Sequence, residues 1–296
     1  MSDLAVLTTR ASFLEWRESV ADLPVLFIPT MGALHAGHTA LFDAAHVYLK
    51  TRHSGNGRVV VSIFVNPTQF AEQSDLMSYP KTLDSDLDLC ANHLVDVVFV
   101  PNTEEIYPEG LQKIPLLEPS AKANGLEGKD RPGHFAGVLT VVDRLFDLVT
   151  PTAAFFGEKD YQQLAVIRDF VETRNDGIEI VAVKTIRDLD GLALSSRNQR
   201  LSIIGRATAK QIPAALALAE HALAEGCSLS EVKLSVQQYL EMQPGIDLEY
   251  FEILDDELNE ISQPGPARLF IAATVNKVRL IDNVVVQIRN ENVISN

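Results

Sequence analysis

The sequence predicts an α/β protein, a parallel sheet covered by helices on both faces and followed by a smaller α+β part. Three observations carry this. Apolar β-rich runs alternate with helical patterns through the first two-thirds of the chain. The runs are continuously apolar, as suits strands buried on both faces. After about residue 186 the character changes to an Ala-rich helical stretch and then to short β-rich runs.

In order, strands are expected at Val25–Ile28, Val59–Val65, Val95–Val100, Ala153–Phe156 and Glu179–Val183. Helical spacing predicts helices at Thr39–Lys50, Thr82–His93, Gly137–Val149 and Gln162–Thr173. Beyond the composition shift near 184–190, "IGRATAKQIPAALALAEHALAEG" reads as helix with a break or kink at Pro213. A second helix is expected from Ser230 to Met242, then a turn at "QPG". The runs "DLEYFEIL", "RLFIAATV", "KVRLIDN" and "VVVQI" suit a small antiparallel sheet.

Across 296 residues, 40 acidic against 25 basic side chains give a net charge of −15. That field repels polyanions, so nucleic acid and anionic membrane are not expected as partners. The start "MSDLAVLTTR" has no secretory pattern, and no apolar run approaches the length of a membrane span. Cys90 and Cys227 belong to no CxxC or Cys/His cluster, so neither a zinc site nor a disulfide framework is expected. Each thiol reads as a small buried hydrophobe.

Ligands of parallel sheets sit beyond the carboxyl ends of the strands, where the unusual residues cluster. In "IPTMGALHAGH" a buried strand passes through a tight connection into a helix. A helix N-terminus exposes unpaired N–H groups that suit phosphate. Gly32 and Gly37 let backbone approach a ligand, and His35 and His38, three apart, fall in one helical turn. Two imidazole donors there suit the charge that builds on a phosphorus centre under attack. The plainer reading is a pair of capping or core histidines.

"VVVSIFVNPTQF" ends a strand on Asn66 and Gln69, directional groups for a hydroxyl or carboxylate, although Asn-Pro is also a simple turn signal. "FFGEKDYQQL" places Gly157, Lys159 and Asp160 at a second strand-to-helix passage, with Gln163 one turn on. Lys159 suits the outer phosphates of a nucleotide, whereas Asp160 reads equally as an N-cap. Ser195, Ser196 and Arg197 in "LALSSRN" offer further phosphate contacts. Arg131 and His134 of "RPGHFAGV" open another helix after "KANGLEGKD", a candidate mobile loop. Asp84 and Asp86 begin the helix after "YPKT", where acidic residues usually serve the helix dipole. This kit cancels phosphate charge and supplies no nucleophile. It fits attack on an α-phosphate by a substrate that is already an anion, such as a carboxylate.

The ordered motifs "PTMGALHAGH", "VSIFVNPTQF", "YPKTLDSDL", "EIYPEG", "RPGHFAGVLTVV", "FFGEKDYQQL", "DGLALSSRN" and "RLIDN" resemble the pantothenate synthetase (pantoate–β-alanine ligase) family along nearly the whole chain. The resemblance implies a Rossmann-like nucleotide- and pantoate-binding domain over residues 1–185 and a C-terminal lid domain over 186–296. It implies condensation of (R)-pantoate with β-alanine through pantoyl adenylate, with ATP as co-substrate and Mg2+, in a cytoplasmic homodimer.

By the same resemblance ATP meets Met31, Gly32, Ala33, Leu34, His35, Ala36, Gly37 and His38, then Gly157, Glu158, Lys159 and Asp160, and finally Ile186, Leu194, Ser195, Ser196 and Arg197. His38 is the catalytic histidine, assisted by His35, with Lys159 on the phosphates. Gln69 and Gln163, with Asn66, bind pantoate, and Gln69 later borders the β-alanine site. Arg131 and His134 are candidate substrate or lid contacts, and Asp86 a candidate metal contact made mainly through ATP phosphates. Thr68 stands where Met is common, Ser85 where an acidic residue is common, and Asp130 where a small residue is usual. Two rivals stay open: another HxGH nucleotidyltransferase, which never consumes β-alanine, and a nucleotide sensor without turnover.

Overall fold

The computed structural model describes residues 4–70, 76–77 and 79–293. The chain forms two compact units: residues 1–158 with 162–184, and residues 159–161 with 185–296.

The first unit is built on six parallel strands: β1 (Ala5–Leu7), β2 (Val25–Thr30), β3 (Arg58–Ile63), β4 (Val97–Phe99), β5 (Ala153–Gly157) and β6 (Glu179–Val183). Their order is β1-β4-β3-β2-β5-β6. From β2 the chain winds to one side through β3 and β4; from β5 it winds to the other through β6. The order therefore reverses between β2 and β5, and in such sheets the crevice beyond those two strand ends is where ligands bind.

Two early elements were not expected. β1 is only three residues long, too short to show a period, and pairs with β4 through Ala5↔Val97 and Leu7↔Phe99. Helix α1 (Arg10–Ser19) follows, capped by the Thr9 hydroxyl and anchored by Phe13 against Phe99 at 4.6 Å.

β2 is buried on both faces, which explains why "VLFI" is apolar without alternation. Leu26 and Ile28 pack with Phe42, Ala45 and Leu49 of helix α2 (Ala36–Arg52) and with Cys90 of helix α3 (Leu83–Asn92). Phe27, on the opposite face, meets Phe146 of helix α4 (His134–Val149), ring centroids 6.3 Å apart. α4 starts one turn earlier than its apolar spacing suggests, because Gly133 takes a left-handed φ of 79° and admits His134 as the first helical residue. A further helix, α5 (Tyr161–Arg174), links β5 to β6.

The second unit packs helices α6 (Ile203–Ala209), α7 (Gln211–Ala224) and α8 (Leu229–Glu241) with a three-stranded antiparallel sheet, β7 (Ile246–Leu254), β8 (Gly265–Val275) and β9 (Val278–Ile288). The expected break falls at Lys210, between α6 and α7, since Pro213 has no N–H to offer the Ala209 carbonyl. α8 begins with a capping box in which Ser228 and Glu231 satisfy each other's backbone N–H groups. The runs "KVRLIDN" and "VVVQI" form one strand, not two. Asp282 and Asn283 favour turns, yet both pair within the strand, because β8 is long enough to pair with both runs from Val275↔Val278 to Gly265↔Ile288. Asn276 and Lys277, both at positive φ (47° and 71°), make the two-residue turn whose twist matches the strands.

Burial, with the Asp86 charge adding, pushes the Cys90 thiol up to about 12, and burial does the same to the Tyr107 hydroxyl. Cys227 is half-buried. At pH 8 a thiol reagent is therefore expected to modify one cysteine per native chain, with Cys227→Ser abolishing the signal. Equal reactivity of both thiols in the native protein would contradict this packing. Because the fold retains both protons where the unfolded chain has begun to release them, stability is expected to fall as pH rises from about 9 toward 12 in thermal melts.

Candidate functional site

The connection leaving β2 carries the first group of site residues. Thr30, its last residue, donates to the Ser62 carbonyl (2.7 Å) while its hydroxyl oxygen accepts from Gly32 N (3.2 Å). Gly32 takes φ 81°, and a methyl group there would sit 3.1 Å from both Asp86 Oδ2 and the Ile63 side chain. Ala33 is held at φ 51°, a left-handed value that costs an alanine about 1 kcal/mol. Asp86 offsets that strain. Its carboxylate, 2% exposed, accepts from Ala33 N (2.9 Å) and Leu34 N (2.8 Å), and from the Thr82 hydroxyl at 3.1 Å on both oxygens. Hydrogen bonds to an ionised acceptor are the strong kind.

α2 then begins with a capping box made of histidines. His35 is the N-cap, and its Nδ1 accepts from Gly37 N (3.1 Å). His38 Nδ1 accepts from His35 N (3.2 Å). The rings lie 4.3 Å apart between centroids, tilted by 53°. In each neutral ring an accepting Nδ1 leaves the proton on Nε2. The first turn of the helix thus sets the tautomer of both imidazoles.

Asn66 ends the connection after β3 and is 1% exposed. Its Nδ2 donates to the Gly137 carbonyl and to Gln69 Oε1, both at 3.1 Å. Its Oδ1 accepts from Thr68 N (3.3 Å), the Thr68 hydroxyl (2.9 Å) and the Tyr107 hydroxyl (2.9 Å). Gln69 completes the row by donating from Nε2 to Met31 Sδ (3.1 Å). A methyl group on Gly137 would collide with the Thr68 carbonyl and Gln69 Cα, so α4 touches this turn backbone to backbone.

Arg131 and His134 meet the same turn from below. The Arg131 guanidinium donates to His134 Nε2 (3.1 Å), leaving Nδ1–H to donate to the Gln69 carbonyl (3.0 Å). Gln163 is half-buried in the first turn of α5. Its neighbour Gln162 is buried and braces the 122–127 segment, accepting from Glu127 N (2.9 Å) and donating to the carbonyls of Lys122 and Gly125.

Gly157 ends β5 and Glu158 follows it in the first unit, while the second unit holds Lys159, Asp160, Ile186 and Leu194–Arg197. The Lys159 ammonium lies 3.2 Å from Asp160, and the Lys159 carbonyl accepts from Asn283 Nδ2 (2.8 Å). Ile186 and Leu194 face each other across a narrow loop, Leu194 N donating to the Ile186 carbonyl (2.9 Å). Ser195 caps a 3-10 turn by accepting from Arg197 N, and Ser196 is buried within that turn. Arg187 grips Asp282 with two hydrogen bonds (2.5 and 2.9 Å) and also donates to the Gly191 carbonyl.

Sequence reasoning missed the residues that brace this machinery: Thr30, Thr82, Tyr107, Gln162, Arg187 and the Asp282–Asn283 pair. The signal was available in "YPKT", "EIYPEG" and "RLIDN", but their partners are remote in sequence.

Asp86→Ala would leave a buried N–H group at Ala33, a half-buried one at Leu34 and the Thr82 hydroxyl without their acceptor. We expect a loss of about 2–4 kcal/mol, seen as a melting temperature lower by roughly 5–10 °C. An unchanged melting temperature would show that the turn does not depend on this carboxylate.

The comparisons with known proteins agree with one another. A family model described as pantoate-beta-alanine ligase matches residues 5–285. The pantothenate synthetase of a Nocardioides species is 48% identical over 262 residues, covering 87% of this chain and 77% of that protein. That of Mycolicibacterium smegmatis is 42% identical, covering 89% and 81%. Among solved structures, a pantothenate synthetase from Thermus thermophilus superposes with a TM-score of 0.84 at 40% identity, over 95% of this chain and 98% of that one. A pantoate-beta-alanine ligase from Francisella tularensis, complexed with beta-gamma ATP and beta-alanine, gives 0.79 at 36%, over 95% and 97%. Coming on top of the ordered motifs and the parallel sheet, these similarities show that the chain belongs to the pantoate–β-alanine ligase family and is a ligase.

Proposed function

We propose that the chain condenses (R)-pantoate with β-alanine in two steps driven by MgATP. A pantoate carboxylate oxygen attacks the α-phosphorus of ATP; the bond to the β-phosphate breaks, pyrophosphate leaves and pantoyl adenylate forms. The β-alanine amine then attacks the acyl carbon and loses a proton. The acyl–oxygen bond breaks, and AMP leaves with its electron pair.

The observation that carries this reading is the histidine capping box at the start of α2. Both imidazoles are held as Nε2–H donors at the positive end of the α2 dipole, and together these offset the charge that builds on the α-phosphate. His38 takes the catalytic role and His35 assists. Because a carboxylate is already an anion, positioning and charge cancellation do the work and no general base is needed for the first step.

The family resemblance assigns ATP to Met31–His38, to Gly157, Glu158, Lys159 and Asp160, and to Ile186 and Leu194–Arg197. Lys159 and Arg197 bring the positive charge for the phosphates. Gln69 and Gln163 hold pantoate, and Gln69 later borders β-alanine. Asn66, with every amide position committed within the protein, works by orienting Gln69. Among the described residues no group of three or more His, Cys, Asp or Glu side chains is placed to hold a metal ion. Mg2+ enters with ATP, held mainly by its phosphates, and Asp86 braces the turn. Among the same residues no helix is long and apolar enough to cross a membrane. The homodimer and cytoplasmic site of action implied by the resemblance go with this reading.

The test is release of pyrophosphate and AMP from MgATP with pantoate, with and without β-alanine. Sustained AMP release and pantothenate formation are expected only with both substrates. Pyrophosphate release indifferent to pantoate would point to another nucleotidyltransferase, and no turnover at all to a sensor. His38→Ala is expected to lower kcat for adenylation by about 10²- to 10³-fold in a folded protein; near-normal pyrophosphate release would remove its assigned role. His35→Asn keeps a good N-cap and is expected to melt near the parent, whereas His35→Ala loses about 1 kcal/mol of stability.

A further inference from the structure

The amides of Asn66 and Gln69 have a fixed direction, and it can be traced from groups that allow no choice. The Thr68 backbone N–H can only donate, and it meets Asn66 Oδ1 at 3.3 Å. The Gly137 carbonyl can only accept, and it takes a hydrogen from Asn66 Nδ2 at 3.1 Å. With the Asn66 amide so oriented, its second Nδ2 hydrogen must meet an acceptor, which makes the atom at 3.1 Å the Oε1 of Gln69. Gln69 Nε2 is thereby turned the other way, where it rests on Met31 Sδ, a weak acceptor. Gln69 consequently offers an incoming molecule only hydrogen-bond donors.

Two hydroxyls also reach Asn66 Oδ1, Thr68 Oγ1 and Tyr107 Oη, each at 2.9 Å, the Gly137 carbonyl lying farther from Thr68 Oγ1 at 3.4 Å. Tyr107 is 1% exposed and burial keeps its proton on, so it donates at any working pH. Neither hydroxyl has an assigned part in the reaction. We propose that Thr68 and Tyr107 are positioning residues for substrate recognition: by clamping Asn66 Oδ1 they hold the amide row that presents Gln69 as a donor-only group, so that the molecule recognised there must bring an acceptor oxygen and displace Met31 Sδ. This rests on the assignment of pantoate to Gln69 above. It goes further in naming the polarity that Gln69 demands and the side chains that enforce it.

The experiment is a set of steady-state measurements on Thr68→Val, Tyr107→Phe and the double variant, each alone and in a Gln69→Ala background. Each single change is expected to raise KM for pantoate about three- to tenfold and the double variant further, with kcat and KM for ATP unchanged. Thr68→Ser, which keeps the hydroxyl, is expected to restore the parent KM. In the Gln69→Ala background the same changes are expected to have no further effect. Unchanged KM in the single and double variants, with Gln69→Ala still raising it, would overturn the positioning role while leaving Gln69 as the pantoate residue. Equal rises with and without Gln69 would show that the hydroxyls merely hold the fold. An unchanged KM in Gln69→Ala itself would overturn both assignments.

Discussion

The carboxylate of Asp86 holds together a turn that the local chain alone would not keep. Ala33 in a left-handed conformation and two consecutive inward-facing N–H groups are each unfavourable in a buried connection. One ionised side chain from the start of α3 answers both N–H groups and ties in Thr82. With the turn closed, His35 is delivered to the N-cap of α2 and His38 to its first turn. The imidazole geometry and the position of the helix start follow from that closure.

The second unit solves a related problem with a different pair. Asp282, its side chain 1% exposed, accepts both terminal nitrogens of Arg187, while Asn283 binds the Lys159 carbonyl and accepts from Arg268 Nη1 (2.7 Å). Arg268 lies over the Tyr161 ring, 3.7 Å from its centroid. A single short stretch of β9 thus anchors both the loop that precedes Leu194–Arg197 and the backbone of Lys159. Breaking one partner of a buried pair leaves an uncompensated charge, so this stretch has little freedom to vary.

The α/β class was legible because its strands are buried on both faces and so lack the alternation of a half-exposed sheet. The break near Pro213 was legible because a missing N–H is a property of one residue. The three-residue β1 was not, since it is shorter than any period. Nor was the single β9: its continuity is set by the length of its partner β8. At the candidate site, the spacing of His35 and His38 told that they share a helical turn. It did not tell that each Nδ1 is spent on backbone. Asn66, Tyr107 and Asp86 carry their meaning through partners 41 to 71 residues away, and no local pattern announces a partner at that distance. "YPKT", "EIYPEG" and "RLIDN" registered as motifs while their physical content stayed hidden in tertiary contacts.

The histidine capping box has a consequence for how such a chain can change over time. The hydrogen bonds that begin α2 are the ones that decide where the imidazole protons sit, so helix initiation and the tautomers of both rings draw on the same atoms. A replacement at either position gives up an Nε2–H donor, and one without a side-chain acceptor gives up the cap as well. The two histidines are thus constrained as one structural unit. Gln69 stands at the end of a 3-10 turn and caps no helix, so a change there carries no such double cost.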